Sequence, residues 1–416
     1  MVSEDKPSLR SPIGTHDLCP PDGDRWLALG RLFAETAQRY GFAPAATPVF
    51  EDAAVFAGVG AATDVVGKQM YEFADRSDRR LVLRPEGTAA VCRAFAQHRP
   101  PTPWKVWYQG PFFRYEAPQA GRFRQFHQLG AETLGTDDAD ADVEIIALAA
   151  RVLADVGLAR VRLLVNSMGD GDTRAVYAAA LGEHLSANLD RLDPDDRAKA
   201  AAAPLRVLDS KRPATVAATA DAPRIEAFLS PDAARHFDRV RAGLDALGID
   251  CEVEPRLVRG LDYYTRTTFE FCADALDSAQ NAVCGGGRYD GLVEALGGPP
   301  TPGIGFALGV ERLLLACDAE GVFDDAPAAP AAWVVDVTDG AAARDLTETL
   351  RAAGIAADRA YDARSMRAQM RAADRSGAAA AVIVGEDELA AGTVTLRWLR
   401  DPRPPALADD PQMPVA

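Results

Sequence analysis

The sequence predicts a mixed α/β (α+β) chain: a large first part that holds a helical insertion, then a short linker and a small α/β module. Three observations carry this. Strand-like apolar runs alternate with amphipathic helical stretches up to about residue 325, the stretch 167–247 changes texture to Ala- and Asp-rich, and DDAPAAPAA (Asp324–Ala332) reads as a linker before a β-α pattern. The boundaries are therefore set at 1–325, with the insertion at 167–247, a linker at 326–332 and the last module at 333–416. A length of 416 residues suits two or three domains, each with its own core.

In the first part, WKVWY (Trp104–Tyr108), VRLLV (Val161–Val165) and TFEFC (Thr268–Cys272) are rich in β-branched and aromatic residues and read as strands. In the insertion, Ser230 can cap a helix and Pro231 fits its first turn. Phe237, Val240, Leu244 and Leu247 then recur on one face. In the last module Trp333–Val337 and Ala381–Val384 read as strands and Ala341–Ala353 and Ala363–Ser376 as helices. Thr393–Leu399 alternates, and the Pro-rich tail from Pro402 is expected to be irregular. There are no tandem repeats.

Acidic residues outnumber basic ones, 61 to 45, for a net charge of −16. Such a chain is not built to coat nucleic acid indiscriminately, although a local basic patch remains compatible with RNA. No run approaches the roughly 18–20 apolar residues of a membrane span, and MVSEDKPSLR lacks a secretory core, so a cytoplasmic location is expected. The six cysteines form no C-x-x-C pair and the five histidines have no ligand spacing, so neither a disulfide framework nor a zinc site is suggested. P-loop, G-x-G-x-x-G and G-x-S-x-G patterns are absent.

What remains is a set of Arg, Glu, Gln and Tyr residues around strand-like segments. In Val106–Gly135, Arg114 ends one apolar run, Arg122 and Arg124 begin the next, and Gly110, Pro111, Pro118 and Gly121 punctuate a hairpin. Gln128 and Glu132, four apart, share one face of the second strand. LVRGLDYYTRTTFE (Leu257–Glu270) places Arg259 before a glycine and groups Tyr263 and Tyr264. CGGGRYDG (Cys284–Gly291) allows close backbone approach, and TPGIGFALGVERLLL (Thr301–Leu315) feeds a Gly-rich strand into a helix with Arg312 near its start. LRPEGT (Leu83–Thr88) sets Glu86 and Thr88 after a strand.

Together these segments resemble the class II aminoacyl-tRNA synthetases, and among them the histidyl-tRNA synthetase family. FRYEAPQAGRFRQF resembles motif 2 of that class and GIGFALGVERLLL motif 3, while PIGTHDLCP and TPVFED (Thr47–Asp52) resemble the motif 1 region, which builds a dimer interface. LVRGLDYYTRTTFE and GGGRYDGL are similar to the two segments peculiar to the histidine enzymes, and NSMGD, PLRVLDSK and the C-terminal module extend the likeness over nearly the whole chain.

The resemblance implies a catalytic domain on an antiparallel sheet flanked by helices and a C-terminal α/β anticodon-binding domain. It implies a ligase that activates L-histidine with ATP and passes it to tRNA(His), acting as a homodimer. Mg2+ would accompany ATP, with no zinc and no organic cofactor. Arg114 and Arg259 are implied to hold the α-phosphate and the histidine carboxylate, Arg312 the γ-phosphate, Arg122 ATP, and Glu116 the adenine amino group. Glu86, Thr88 and Gln128 would receive the α-ammonium group, Glu132 and Tyr264 the two ring nitrogens, and Tyr263 and Tyr289 would line the pocket. Guanidinium suits phosphate because its planar fork matches two oxygens and stays charged. Ala117 and Ala120 stand where the family often carries Arg and Lys near the tRNA acceptor end, and the chain ends at PQMPVA without the family's closing helix. Arg364, Arg367, Arg371 and Arg375 share roughly one helical face, expected to lie near tRNA. The rival readings are the histidine-sensing regulatory subunit of ATP phosphoribosyltransferase, which shares the fold, and a threonine or proline synthetase.

Overall fold

The computed structural model describes residues 9–57, 69–258, 262–277, 280–324, 329–361, 364–400 and 412–414. The chain divides into two compact units, Met1–Asp324 and Asp325–Ala416. In chain order the first unit carries β1 (Ala43–Pro44), β2 (Phe50–Asp52), β3 (Tyr71–Ala74), β4 (Arg80–Leu83), β5 (Trp104–Phe113) and β6 (Gln125–Leu134). β7 (Val161–Ser167), β8 (Glu252–Val253), β9 (Thr265–Ala273), β10 (Ala282–Arg288) and β11 (Gly303–Gly309) follow.

Eight of these form one sheet in the order β1-β5-β6-β11-β10-β9-β7-β8, antiparallel through its centre and parallel only at its two edges. β2, β4 and β3 form a small antiparallel sheet. Both faces of the large sheet are covered. Helices Asp22–Arg39, Ala139–Asp155, Pro231–Ala246 and Val310–Glu320 supply Phe33, Ile146, Val240 and Leu313 to one core, and helix Thr88–His98 supplies Val91 and Phe95 to the other. Burying each such side chain fully contributes about 1.5–3 kcal/mol. The Ser230 cap forms, its hydroxyl accepting the Ala233 N–H at 3.1 Å. That helix buries Phe237, Val240 and Leu244 against the large sheet, whereas the insertion's other helices share a separate cluster around Tyr177, Leu181 and Val207.

The hairpin differs from its reading in sequence. β5 runs unbroken through Gly110 and Pro111 to Phe113, with Pro111 paired to His127. The space a Gly110 side chain would fill holds the Arg84 guanidinium, whose Nε donates to the Pro111 carbonyl at 3.0 Å, so this stretch is braced from the side. The turn lies instead between Arg114 and Arg124, around Pro118 and Gly121.

In the second unit β12 (Ala332–Asp336), β13 (Ala357–Arg359), β14 (Ala380–Val384), β15 (Thr393–Trp398) and β16 (Gln412–Pro414) form a sheet in the order β13-β12-β14-β15-β16, with helices Ala341–Ala352 and Met366–Arg375 packed on it. β16 falls in the tail that the sequence suggested was irregular. It pairs antiparallel with β15, which otherwise would end the sheet with unpaired backbone groups, and an edge strand tolerates Pro414.

Candidate active site

The antiparallel pairing of β5 with β6, and of β6 with β11, brings the Arg-rich hairpin beside the start of helix Val310–Glu320. A cleft opens there. Glu86, Thr88, Arg114, Glu116, Arg122, Gln128, Tyr263, Tyr264, Tyr289 and Arg312 all line it. Arg259 lies outside the described residues. Glu132 does not line the cleft; it sits one layer behind, fully buried.

One wall is cationic. Arg114 donates from Nε to the Pro85 carbonyl at 2.9 Å, and its guanidinium lies 5.2 Å from the Phe126 ring centre. Arg312 donates to the carbonyls of Gly121 (3.3 Å) and Ala282 (3.2 Å), tying the motif-2-like turn and β10 to the helix start. Arg122 approaches Glu116 at 3.8 Å. Burial depresses the Arg312 pKa, and the neighbouring charges of Arg122 and Arg114 depress it further, against the pull of Glu116 and Glu270. Arg114 and Arg122 thus each repel Arg312 around one cavity. That arrangement stores a preference for a polyanion.

The rest of the lining is acidic and aromatic. Glu86 sits at the start of helix Thr88–His98, where its carboxylate accepts the amide N–H of Thr88 (2.7 Å) and of Ala89 (2.8 Å). Burial pushes its pKa up, opposed by those two amides and by Arg114. The Tyr263 hydroxyl reaches Glu86 at 3.4 Å. Ring centres of Tyr263 and Tyr264 lie 4.8 Å apart, and those of Tyr263 and Tyr289 5.9 Å. Tyr264 packs onto β10 because Gly287 has no side chain; a Cβ there would sit 2.8 Å from the Tyr264 ring.

Glu132 anchors this wall from behind. Its Oε1 accepts from the Thr88 hydroxyl (2.7 Å) and the Tyr108 hydroxyl (3.3 Å), and its Oε2 from the Tyr289 hydroxyl (2.6 Å). Burial pushes its pKa up to about 8, against the hydrogen bonds of Tyr289 and Thr88. Gly305 stands opposite Glu132 across the β6–β11 pair, and a Cβ there would fall 1.6 Å from Oε2. The carboxyl therefore occupies the space left by that glycine.

Two buried polar atoms of the lining, Gln128 Oε1 and Arg122 Nε, have no protein partner among the described residues. A ligand with a donor near one and an acceptor near the other would complete them. Sequence reasoning missed Tyr108, Phe126, Glu270 and Glu311 in the lining. Phe126 was within reach, since it shares the β6 face with Gln128 and Glu132 by simple alternation. Glu311 accepts both the backbone N–H of His127 and a bond from His127 Nδ1, each at 2.9 Å, which no local pattern signals. Among the described residues no group of three or more His, Cys, Asp or Glu is placed to hold a metal ion, and no helix is long and apolar enough to cross a membrane.

A family profile described as Histidyl-tRNA synthetase matches residues 14–313, and one described as Anticodon binding domain matches residues 333–403. A Histidine–tRNA ligase from Corynebacterium urealyticum is 48% identical over 400 residues, spanning 94% of this chain and 92% of the relative. One from Geobacillus kaustophilus is 45% identical over 392 residues, spanning 92% of each. The crystal structure of apo S. aureus histidyl-tRNA synthetase superposes with a TM-score of 0.78 at 36% identity, covering 94% of this chain and 95% of that one.

Proposed function

The chain belongs to the histidyl-tRNA synthetase family, and we propose that Arg114, Arg122 and Arg312 hold ATP in its cleft while Glu86, Thr88, Gln128 and the tyrosines, with Glu132 behind them, hold histidine beside it. The reaction is histidine–tRNA ligation. A carboxylate oxygen of L-histidine attacks the α-phosphorus of ATP and pyrophosphate leaves. A terminal ribose hydroxyl of tRNA(His) then attacks the adenylate carbonyl and AMP leaves.

Negative charge on the α-phosphate oxygens must be met during the first step by donors already in place. Arg114 takes that position, and Arg259 is assigned to the same phosphate by its place in the family-specific segment. Both also hold the histidine carboxylate. Arg312 takes the γ-phosphate and Arg122 a further oxygen of ATP. Glu116 reads the adenine amino group. The α-ammonium group of histidine meets Glu86, the Thr88 hydroxyl and the unpartnered Gln128 Oε1. Glu132, behind the lining, holds the Tyr289 hydroxyl in place beside the ring, and the Tyr264 hydroxyl meets a ring nitrogen. Tyr263 and Tyr289 pack around the ring. Mg2+ bound to the triphosphate would add charge neutralisation, and it needs no more than one or two carboxylates from protein, for which Glu270 is placed in the lining.

Homodimer formation in the cytoplasm is part of the same reading. Val49, Phe50 and Phe73 are exposed around the motif-1-like segment, with the Phe50 and Phe73 rings 6.3 Å apart. The exposed Arg364, Arg367, Arg371 and Arg375 offer a cationic face to tRNA in the second unit.

The observation that carries this assignment is the convergence of three guanidinium groups and a carboxyl-tyrosine wall on a single cleft. It is tested by pyrophosphate exchange with each amino acid in turn, followed by tRNA charging. Exchange dependent on histidine alone is expected. Histidine binding without exchange, or equal exchange with threonine or proline, would sink it.

A further inference from the structure

Behind the cleft lies a second polar cluster to which the reaction gives no part. Arg288, the last residue of β10, is wholly buried and uses its entire guanidinium. Nε donates to Asp142 at 3.1 Å, Nη1 to the Thr136 carbonyl (3.0 Å) and to Asp290 (3.3 Å), and Nη2 to the Asp138 carbonyl (3.2 Å) and again to Asp142. Asp142 is itself wholly buried in helix Ala139–Asp155, and its other oxygen meets His236 Nε2 at 2.7 Å. Burial works against that carboxylate, but the His236 bond and the Arg288 charge outweigh it and hold its pKa below the ordinary value. An ionised carboxylate only accepts, so His236 carries its proton on Nε2.

The cluster braces both neighbours of Tyr289. Arg288 precedes it in the chain. Asp290 follows it, accepts from Arg288 and also receives the Gly303 amide at 3.1 Å. The Tyr289 amide donates to the Gly303 carbonyl at 2.8 Å, and its hydroxyl is the one bonded to Glu132. Tyr289 therefore has no independent freedom: its backbone position is set by Arg288 and Asp290, and Arg288 is set by Asp142 and His236. His236 stands on helix Pro231–Ala246, the element that closes the insertion.

We propose that Asp142 and His236 are positioning residues for substrate histidine, acting through Arg288 to hold the Tyr289 hydroxyl on Glu132. The inference rests on the reading of Tyr289 and Glu132 as part of the histidine pocket. It adds a physical link between the helix that ends the insertion and the selection of the amino acid.

The test is histidine-dependent pyrophosphate exchange by full-length wild type, His236→Ala and His236→Gln, with thermal unfolding as a check on folding. Loss of a hydrogen bond to a charged group is worth about a tenfold change. His236→Ala is therefore expected to raise KM for histidine about 10-fold, with KM for ATP and kcat within about twofold. His236→Gln retains a donor and should restore most of the loss. An unchanged KM for histidine in His236→Ala, a parallel rise in both KM values, or no rescue by Gln each overturns the proposal. Should His236→Ala fail to fold, Asp142→Asn, which keeps the volume and one acceptor, is judged on the same histidine and ATP readings. Tyr289→Phe separates the layers: if it leaves KM for histidine unchanged, the pocket reading itself falls, whereas an effect there beside a silent His236→Ala sinks only the link through Arg288.

Discussion

Glu132 offers the sharpest test of the site because its environment sets opposing demands on one proton. Its carboxyl is fully buried, and its pKa is pushed up to about 8 from an ordinary 4.5. The unfolded chain releases the proton near 4.5 and the folded chain keeps it to about 8, so between those values the folded state binds one proton more. Stability from this group is complete below about pH 4.5 and is withdrawn as pH rises toward 8. Each pH unit in that window removes about 1.4 kcal/mol, which sets an upper limit of about 5 kcal/mol at the alkaline end. Glu132→Gln keeps the shape and cannot ionise. Urea unfolding of both proteins from about pH 5 to 8.5 isolates the effect, since all other groups cancel in the difference. Relative to wild type the variant should gain several kcal/mol across this range, while histidine affinity falls more than ATP affinity. A difference flat to within about 0.5 kcal/mol, the usual size of an uninvolved substitution, would refute the account of the buried acid.

Four further outcomes follow from the geometry. Gly305→Ala would push a methyl group to 1.6 Å from Glu132 Oε2 and 2.7 Å from the Ala131 carbonyl; a loss of about 3 kcal/mol in stability and of histidine binding is expected by thermal unfolding and calorimetry. Arg312→Ala should lower exchange about 100-fold with a raised KM for ATP, and an unaltered KM for ATP would remove Arg312 from the triphosphate. Reversing Arg367 and Arg371 to Glu should weaken tRNA charging about 10-fold or more and leave exchange intact, because these exposed side chains lie in the second unit, outside the cleft. In the insertion, Asp196 accepts from Ser210, Thr215, Arg212 and Lys199; these bonds outweigh its burial and lower its pKa to about 2. Its stabilisation, about 2 kcal/mol, is present above pH 4 and lost as pH falls through 2, so Asp196→Asn should differ from wild type at pH 6 and converge with it near pH 2 in urea unfolding.

The legible part of the site was its strand chemistry. Alternation along β6 put Gln128 and Glu132 on one face, and the continuous pairing of β6 with both neighbours keeps them there. Alternation could not separate their depths. Gln128 reaches the cleft while Glu132 is sealed behind it, and the difference arises from Gly305, 173 positions away in sequence and opposite in space. Ser230 and Pro231 likewise announced a helix start, yet nothing local showed that this helix would pack on the large sheet and lend His236 to Asp142. Gly110 and Pro111 misled as turn signals because the brace that keeps β5 extended there, Arg84, comes from another strand's end. The missing information is in each case a long-range pairing, which periodicity does not encode.

The arrangement of charge argues for why the cleft is selective without a strongly basic protein around it. The chain carries a net charge of −16, so at a distance it does not attract polyanions. Screening limits that repulsion to roughly 8 Å at physiological salt, and inside the cleft Arg114, Arg122 and Arg312 dominate. The charges of Arg122 and Arg114 act against that of Arg312, so the site holds its arginines at a cost. Carbonyls of Pro85, Gly121 and Ala282 relieve some of it and fix the Arg114 and Arg312 guanidinium groups in place. A triphosphate held there, as proposed above, would relieve the rest. Because the donors are already oriented, little of that energy is spent on rearrangement when charge develops at the α-phosphorus. ATP should therefore raise the unfolding temperature of the first unit more at low salt than at high salt, and an effect indifferent to salt would mean that the arginines contribute positioning alone.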